Sequence, residues 1–346
     1  MATPPRGAAG GAILRILLGL VVFAVLAAAG SAWYDYSRFT RAPLAIRDRG
    51  SLVIPHGTAF KQIVAELRAR KLSAAPPLYW RALAWRMGVT DRLHAGEYAL
   101  VPGTTPPQLL TMMASGEVVQ HHVTIVEGRT FHQALAMLRA EPLLRHASGT
   151  LDDTAVMKKI DPAVGNPEGW LLPETYDFVR GDSDLDMLRR AYKAMREVLK
   201  AEWAQREENL PLDTPYQALI LASIVEKETA QPDERPRIAG VFERRLRRGM
   251  LLQTDPTVIY GMGSAYHGNI RRKDLTTDTP YNTYTRPGLP PTPIALPGRA
   301  AIHAVLHPAE GDALYFVARG DGTHQFSATL REQNAAVARY QLGGGR

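Results

Sequence analysis

The chain has 346 residues, of which 45% are hydrophobic and 22% are charged. These fractions are typical of globular proteins and exclude a wholly disordered chain. Lysine and arginine outnumber aspartate and glutamate by 41 to 34, so the net charge of +7 permits an anionic partner without requiring one. The absence of cysteine excludes disulfide scaffolds, thiolate zinc sites and cysteine nucleophiles.

The first element in the chain is an uncharged segment from Ile16 to Tyr34. About 20 apolar residues span the ~30 Å hydrocarbon core of a bilayer, and Trp33 and Tyr34 stand where aromatic side chains mark the membrane interface. We therefore expect a transmembrane helix over residues 16–34 in the inner membrane, with residues 1–15 in the cytoplasm and the remainder in the periplasm. A cleaved signal peptide is the alternative, because Ala27–Ala29 offers a small-residue cleavage site.

A charged stalk, residues 35–50, is expected to lead into a weakly repeated pattern. Each repeat has an extended apolar run, a glycine, and then helical periodicity with a glutamine five residues after the glycine. The pairs are Gly57 and Gln62, Gly103 and Gln108, and Gly128 and Gln133, and the threonines expected to begin the helices are Thr58, Thr104 and Thr130. Residues 51–118, with their Gly96-Glu97-Tyr98 step, resemble a LysM-like domain, which implies a glycan-binding module. A purely structural set of βα units is the alternative.

The remaining residues, 119–346, contain no low-complexity linker and are expected to form one mixed α+β domain. Amphipathic periodicity predicts one helix from Leu185 to Leu199 and another from Asp233 to Leu246. Apolar runs on either side of a Gly320–Gly322 turn predict a terminal hairpin. The expected fold class is therefore α+β, with a membrane helix, a small βα module and a larger mixed domain.

The strongest chemical signal lies on one predicted helix. Thr214 is a natural N-cap, and Gln217 completes the expected capping box. Residues 218–225 are apolar except for Ser223, which predicts a helix buried on all sides. Glu226 follows at the carboxyl end, where desolvation and the helix dipole both raise the pKa of a carboxyl group. Such a group suits a general acid for glycosidic cleavage, whereas a glutamate that only ends a buried helix is the alternative.

A second cluster combines aromatic and polar side chains in two later stretches, the first of which opens a short helix at Asp255-Pro256. The candidate substrate-binding residues there are Gln253, Thr254, Asp255, Tyr281, Asn282 and Tyr284. Aromatic rings and amides on a proline-rigidified loop are typical of saccharide clefts. A packed turn that binds no ligand is the alternative.

Two other patterns carry weaker signals. His303 and His307 could share a helix face as metal ligands, but no acidic ligand stands beside them in the sequence, and we expect no metal site. The basic run Arg244–Arg248 is expected to be the solvated face of a helix, and outside the cytoplasm no nucleic-acid partner is expected. Phosphate-binding glycine loops and a Gly-x-Ser-x-Gly elbow are absent from the sequence, so we expect no cofactor.

Six ordered motifs within residues 119–330 resemble those of one family, the endolytic murein transglycosylases, also called the YceG-like or MltG family. The motifs are Glu168–Tyr176, Ala222–Thr229, Leu252–Gly261, Tyr281–Tyr284, Gly288–Pro291 and His307-Pro308. Residue by residue, the catalytic glutamate of the family falls on Glu226.

This resemblance implies cleavage of the β-1,4 bond between N-acetylmuramic acid and N-acetylglucosamine within nascent peptidoglycan. The product would be a 1,6-anhydro-muramyl end, which terminates strand elongation, and Glu226 would act first as acid and then as base. Peptidoglycan strands, and with them peptidoglycan synthases, are the implied partners. Glu174, a further candidate for substrate binding, or Glu228 or Asp255 could supply a second carboxylate, so a hydrolytic muramidase is one alternative. A non-catalytic wall-binding scaffold is the other.

Overall fold

The computed structural model describes residues 8–343, with side chains from residue 14 onward. The expected cytoplasmic segment, residues 1–15, therefore lies partly outside the described residues. The chain divides into two compact units, the first ending at Gln120 and the second beginning at His121. Both units mix helices with short strands, which confirms the α+β class.

The helices and strands are numbered in chain order. In the first unit they are α1 Ala8–Arg41, β1 Gly50–Ile54, α2 Phe60–Ala69, α3 Pro77–Arg86, β2 Gly96–Leu100 and α4 Pro106–Ser115. Across the division and through the second unit they are β3 Gln120–Thr124, α5 Phe131–Ala140, α6 Asp153–Lys158, β4 Thr175–Val179, α7 Asp184–Ala204, α8 Pro215–Glu228, α9 Arg235–Arg247, α10 Asp255–Met262, α11 Arg272–Thr276, α12 Arg299–Leu306, β5 Tyr315–Ala318, β6 His324–Ser327 and α13 Leu330–Val337.

Helix α1 contains the expected membrane segment. Its part from Leu14 to Arg41 is 28 residues long, and an 18-residue stretch within it has a mean hydropathy of 2.3 with no residue buried. By length and composition this helix could cross a membrane, although a signal sequence would have the same properties.

The expected stalk, residues 35–50, differs from the prediction. Helix α1 continues to Arg41, and the ring of Tyr36 meets Tyr79 of α3 edge-on with centroids 5.7 Å apart. Leu44 is buried in the core of the first unit. Because these residues pack against the unit, the segment is part of its structure.

The glutamines explain the repeated pattern. Each one lies at the third position of its helix, where its side chain accepts a hydrogen bond from the backbone N–H of the N-cap residue. Thr130 is the N-cap of α5, as predicted. In α2 and α4 the N-caps are Ala59 and Thr105, one residue later than predicted. The hydroxyls of Thr58 and Thr104 instead donate back to the carbonyls of Pro55 and Val101 and tighten the turn before each helix. 

The described strands form three two-stranded sheets, β1 with β2, β3 with β4, and β5 with β6. Strands β1 and β2 are antiparallel, with Leu52 opposite Tyr98. The antiparallel pair of β5 and β6, with Phe316 opposite Phe326, confirms the predicted terminal hairpin.

Helix α8 lies at the centre of the second unit. All eight residues from Ala218 to Val225 are buried, and α7, α9 and α12 pack around them. The Thr214 hydroxyl accepts from the Gln217 N–H at 3.2 Å, which confirms the N-cap. The predicted capping box does not form, because the Gln217 side chain accepts from the backbone N–H of Asp213 at 2.6 Å.

The basic run Arg244–Arg248 is only partly the solvated face that was expected. Arg245 is buried and donates to the carbonyls of Leu314 and Leu252 at 2.7 and 2.8 Å. Arg244 donates to the carbonyl of Ala313 at 2.8 Å. These two guanidinium groups donate to backbone carbonyls that lie outside the helices and strands. They thereby connect α9 to the segment that precedes β5.

Candidate active site

Glu226 lies in the last turn of α8, and its side chain is only 6% exposed. The backbone N–H of Gly298 donates to its Oε2 at 3.0 Å. Arg235, from the start of α9, donates from Nη2 to its Oε1 at 3.4 Å. The carboxyl group is thus held from both oxygens by groups from two different segments, and its orientation is fixed before any substrate arrives.

Ser223 fixes the loop that carries Gly298. Its hydroxyl donates to the carbonyl of Ile220 at 2.7 Å and accepts from the N–H of Ile294 at 2.9 Å. This is why the otherwise apolar helix contains a serine: its hydroxyl satisfies a buried N–H of the proline-rich loop. The loop then runs across the end of α8 and reaches Gly298 at the site.

Glu127 provides a second carboxylate in the same cluster. Its Oε2 lies 3.8 Å from Nη2 of Arg235, the nitrogen that also contacts Glu226, and its side chain is 47% exposed. A Cβ atom at position 298 would overlap the Glu127 carboxylate, so the close approach requires Gly298. The ammonium of Lys227 donates to the carbonyl of Gly128 at 3.2 Å and ties this turn to α8.

The surroundings raise the pKa of Glu226 above its ordinary value. Burial is the largest cause, since it penalises the charged form. The Gly298 N–H opposes this by stabilising the carboxylate, the negative charge of Glu127 raises the pKa further, and Arg235 lowers it. The net result is a carboxyl group that keeps its proton to a higher pH than a solvated glutamate, which is what a general acid needs.

A separate polar pocket of about 510 Å³ lies beside Glu228. Successive residues of α8 are rotated by about 100° around the helix axis. The side chains of Glu226 and Glu228, two positions apart, therefore point in nearly opposite directions. Glu226 is accordingly not among the described residues that line this pocket. Its polar lining residues include Glu228, Arg245, Gln253, Asp255, Tyr284 and His324.

Glu228 is held differently from Glu226. It accepts a hydrogen bond from the Thr254 hydroxyl. Burial, as the largest cause, raises its pKa to about 7, with Asp255 raising it further and Thr254 and His324 lowering it. Asp255 accepts from the Tyr284 hydroxyl at 2.6 Å at the rim of the same pocket. The pocket therefore combines acidic, basic and phenolic groups suited to polar ligands.

The structure divides the other predicted binding residues by role. Gln253 is exposed in the pocket with a positive φ of 54°, a left-handed conformation that is costly for a non-glycine residue. Asn282 is buried, and its side-chain amide donates to carbonyls of α11 and of Thr277 directly after it, while its oxygen accepts from the Tyr284 N–H. Asn282 therefore ties the loop that carries Tyr281 and Tyr284 to the end of α11.

Tyr281 packs against Tyr260, which lies beside another buried acid, Glu168. Its ring meets that of Tyr260 at 4.9 Å, and the Tyr260 hydroxyl lies 3.2 Å from Oε2 of Glu168. Burial raises the pKa of Glu168 to about 7. The Phe131 N–H donates to its other oxygen at 2.8 Å, so Glu168 joins α5 to α10. Glu174, in contrast, is exposed, and its backbone carbonyl accepts from Ile125 at 3.0 Å.

The predicted histidine pair has an acidic neighbour that the local sequence does not show. His303 and His307 stack with ring centroids 4.2 Å apart, and Glu202 of α7 lies 2.8 Å from Nδ1 of His303. The expectation that no acidic ligand stands beside the pair is therefore corrected by the packing of α7 against α12.

Comparison with known proteins identifies the family. A model of the YceG-like family matches residues 52–339, which extend over parts of both compact units. This chain belongs to the YceG-like family.

Relatives of this YceG-like chain carry a functional name. A protein of Bacillus subtilis (strain 168) named endolytic murein transglycosylase is 30% identical over 305 residues, covering 83% of this chain and 83% of the relative. A protein of the same name from Streptococcus pneumoniae (strain D39) is 30% identical over 334 residues, covering 86% of this chain and 60% of the relative. The crystal structure of a YceG-like protein from Listeria monocytogenes is 29% identical with a TM-score of 0.52, covering 84% of this chain and 99% of that one.

Sequence reasoning missed three members of the Glu226 cluster in this YceG-like chain: Glu127, Arg235 and Gly298. Glu127 stands directly before Gly128 of the third repeat, and Gly298 directly before α12. A charged residue at the end of a strand and a glycine before a helix are common structural features, so neither gave a local signal for chemistry. Only the folded arrangement brings them to Glu226.

Proposed function

We propose that this chain is an endolytic murein lytic transglycosylase in which Glu226 is the one obligatory acid and base. The observation that carries the proposal is a 6%-exposed carboxyl group with a raised pKa, fixed by Gly298 and Arg235. The names of the relatives from Bacillus and Streptococcus support murein as the substrate.

In the proposed reaction, protonated Glu226 donates its proton to the glycosidic oxygen between N-acetylmuramic acid and N-acetylglucosamine. The bond from C1 to that oxygen breaks, and the N-acetylglucosamine leaves with the proton as a free 4-hydroxyl. The muramyl O6 then bonds to C1, and its proton returns to the Glu226 carboxylate. The ring closes as 1,6-anhydro-muramic acid without water, and the enzyme regains its starting protonation state.

Arg235 and Gly298 support both halves of this cycle. After the first proton leaves, the Gly298 N–H and the Arg235 guanidinium stabilise the carboxylate form of Glu226. Burial favours the protonated form again when O6 releases its proton. A group poised between these influences can act as acid and then as base without a second titrating residue.

Glu127 is the specific observation that favours the hydrolytic alternative. A muramidase needs a second carboxylate, which acts on water or forms a covalent adduct. Glu127 contacts the same guanidinium nitrogen as Glu226 and is far better placed for that role than exposed Glu174. In the proposed transglycosylase, Glu127 acts only on the pKa of Glu226.

Product analysis separates the alternatives. The full chain is incubated with purified glycan strands, and the products are analysed by mass spectrometry in water enriched in ¹⁸O. We expect anhydro ends without ¹⁸O, and internal rather than terminal cleavage. Reducing ends that carry ¹⁸O would establish the muramidase, and an absence of cleavage by a folded chain would establish the wall-binding scaffold.

For location, α1 is proposed to anchor the protein in the inner membrane, with both compact units in the periplasm close to nascent strands and their synthases. The apolar 18-residue stretch of α1, in which no residue is buried, supports this placement. The first unit, with its own core around Trp80 and Tyr98, is proposed as the LysM-like glycan-binding module. The test fuses a reporter after Arg346. We expect a reporter that functions only in the periplasm to be active. Activity of a reporter that functions only in the cytoplasm would contradict the topology.

A further inference from the structure

Glu202, His303 and His307 form a cluster whose ligand atoms all lie within 4.8 Å of one another. Among the described residues it is the one group in which three metal-ligating side chains come together. His303 and His307 are one helical turn apart at the end of α12, and Glu202 is in the last turn of α7. Two packed helices therefore contribute ligands to one point on the surface.

We propose that this cluster is a zinc site that joins α7 to α12. Two imidazoles and a carboxylate are ligands that zinc accepts, with water in the fourth position. Tetrahedral zinc holds its ligand atoms roughly 3.3 Å apart. From a spread of 4.8 Å, the three ligand atoms need to move by about 1 Å, which side-chain rotation can supply.

The existing contacts of His307 include one that a neutral imidazole cannot satisfy. Its Nδ1 lies 3.2 Å from the carbonyl of His303, and its Nε2 lies 2.9 Å from the carbonyl of Gln205. A neutral imidazole has one N–H and can donate to only one of these oxygens. The other nitrogen points its lone pair at a carbonyl oxygen, which is an unfavourable contact, and zinc binding requires the ring to turn this nitrogen away from that carbonyl.

Other histidine–carboxylate pairs in the structure provide an internal comparison. His122 lies 2.6 Å from Asp177, and His132 lies 3.2 Å from Asp153. Neither pair belongs to a three-ligand group among the described residues. The Glu202 cluster therefore differs from an ordinary surface pair by its second imidazole, and that difference can be tested directly.

The position of the cluster gives the metal a structural consequence. Helix α12 begins directly after Gly298, whose N–H holds Glu226, and ends at the histidine pair. Eight residues of helix separate the two, a rise of about 12 Å. Zinc joining α12 to Glu202 therefore stabilises the helix that follows the Glu226 contact.

The test uses the full, untagged chain in detergent, in which no cysteine competes for the metal. Zinc is titrated by calorimetry, and cobalt is titrated by visible absorption as a second probe of the same ligands. We expect one zinc ion per chain, an affinity at least tenfold weaker in His303→Asn and in Glu202→Gln, and an affinity within twofold of wild type in His122→Asn. Zinc should also raise the melting temperature of the wild type but not that of His303→Asn.

Two outcomes would overturn the proposal. One is the absence of stoichiometric zinc binding by the wild type. The other is equal binding by the wild type, His303→Asn and Glu202→Gln, which would place the metal elsewhere. His303 is 58% exposed, so His303→Asn is expected to fold, and circular dichroism of the metal-free variant checks that.

Discussion

Helix α8 ends in two buried acids with different surroundings. Glu226 is held by a backbone N–H and a guanidinium group, beside a second carboxylate. Glu228 is held by one hydroxyl and lies against Asp255 and His324 in a separate pocket. In both, burial is the main cause of a raised pKa. The comparison teaches that a raised pKa alone does not select the catalytic group, because the proposed acid–base role needs partners that stabilise both protonation states.

The largest expected effect is the loss of turnover in Glu226→Gln. Glutamine preserves the shape and can still accept from the Gly298 N–H, but it delivers no proton. General acid–base groups contribute about 10²–10⁴-fold, and here one group serves both steps, so the loss should reach the upper end of that range. Turnover is measured by the release of anhydro ends. Glu310→Gln, at an exposed position, is the control, and a residual rate within tenfold of wild type would contradict the role of Glu226.

The second prediction concerns pH-dependent stability at Glu228. Its pKa is about 7 in the folded chain against an ordinary value of 4.5, so the folded state binds the proton more tightly. The stabilisation that protonated Glu228 contributes is fully present below about pH 4.5 and is lost as the pH rises through about 7. Between pH 5 and pH 8, the free energy of unfolding should fall by about 1–3 kcal/mol more in the wild type than in Glu228→Gln.

Denaturant titrations at the two pH values measure this difference. Glu208→Gln, at an exposed position, should follow the wild type. The buried Glu168 and Glu243, with pKa values raised to about 7 and about 8, contribute to the same slope in all of these proteins and cancel in the comparison. If the free energy of unfolding changes equally with pH in the wild type and in Glu228→Gln, folding does not raise the pKa of Glu228, and the prediction is wrong.

The third prediction tests how α8 positions the loop that reaches Glu226. Ser223→Ala leaves the buried N–H of Ile294 without its acceptor, which should reduce the free energy of unfolding by about 1–3 kcal/mol. Ser115 in α4 makes the same kind of bond, to the carbonyl three residues earlier, but is exposed. Ser115→Ala should therefore change stability by less than about 0.5 kcal/mol. Equal effects in the two variants would contradict a role for Ser223 in fixing the loop.

The smallest expected effect is a shift of the pH–rate profile in Glu127→Gln. Removing the negative charge of Glu127 lowers the pKa of Glu226, so activity should be lost at a lower pH on the alkaline side. Arg235→Gln should shift the same limb in the opposite direction, because Arg235 lowers that pKa. Both variants should still yield anhydro ends. Complete loss of turnover in a folded Glu127→Gln would instead favour the two-carboxylate muramidase.

Local sequence patterns determined much of the fold. The Thr214 N-cap, the buried α8 and the terminal hairpin were predicted within a few residues, and the apolar run was predicted as a helix, although α1 extends beyond it at both ends. These features depend on hydrophobic periodicity and capping, which are set by neighbours a few positions apart. The N-caps of α2 and α4 were misplaced by one residue: α4 has two adjacent threonines as candidates, and α2 begins after an alanine that offers no capping side chain.

By itself, the sequence also singled out Glu226, as a charge at the end of a buried helix. Only the tertiary structure decided what surrounds it. Glu127 and Gly298 are about 100 and 70 positions away, and the packing of separate segments brings them together. The same holds for Glu202, which α7 places beside His303. Periodicity reports which face of an element is buried, whereas the partner of that face depends on how distant elements pack, and single-sequence patterns do not encode this pairing locally.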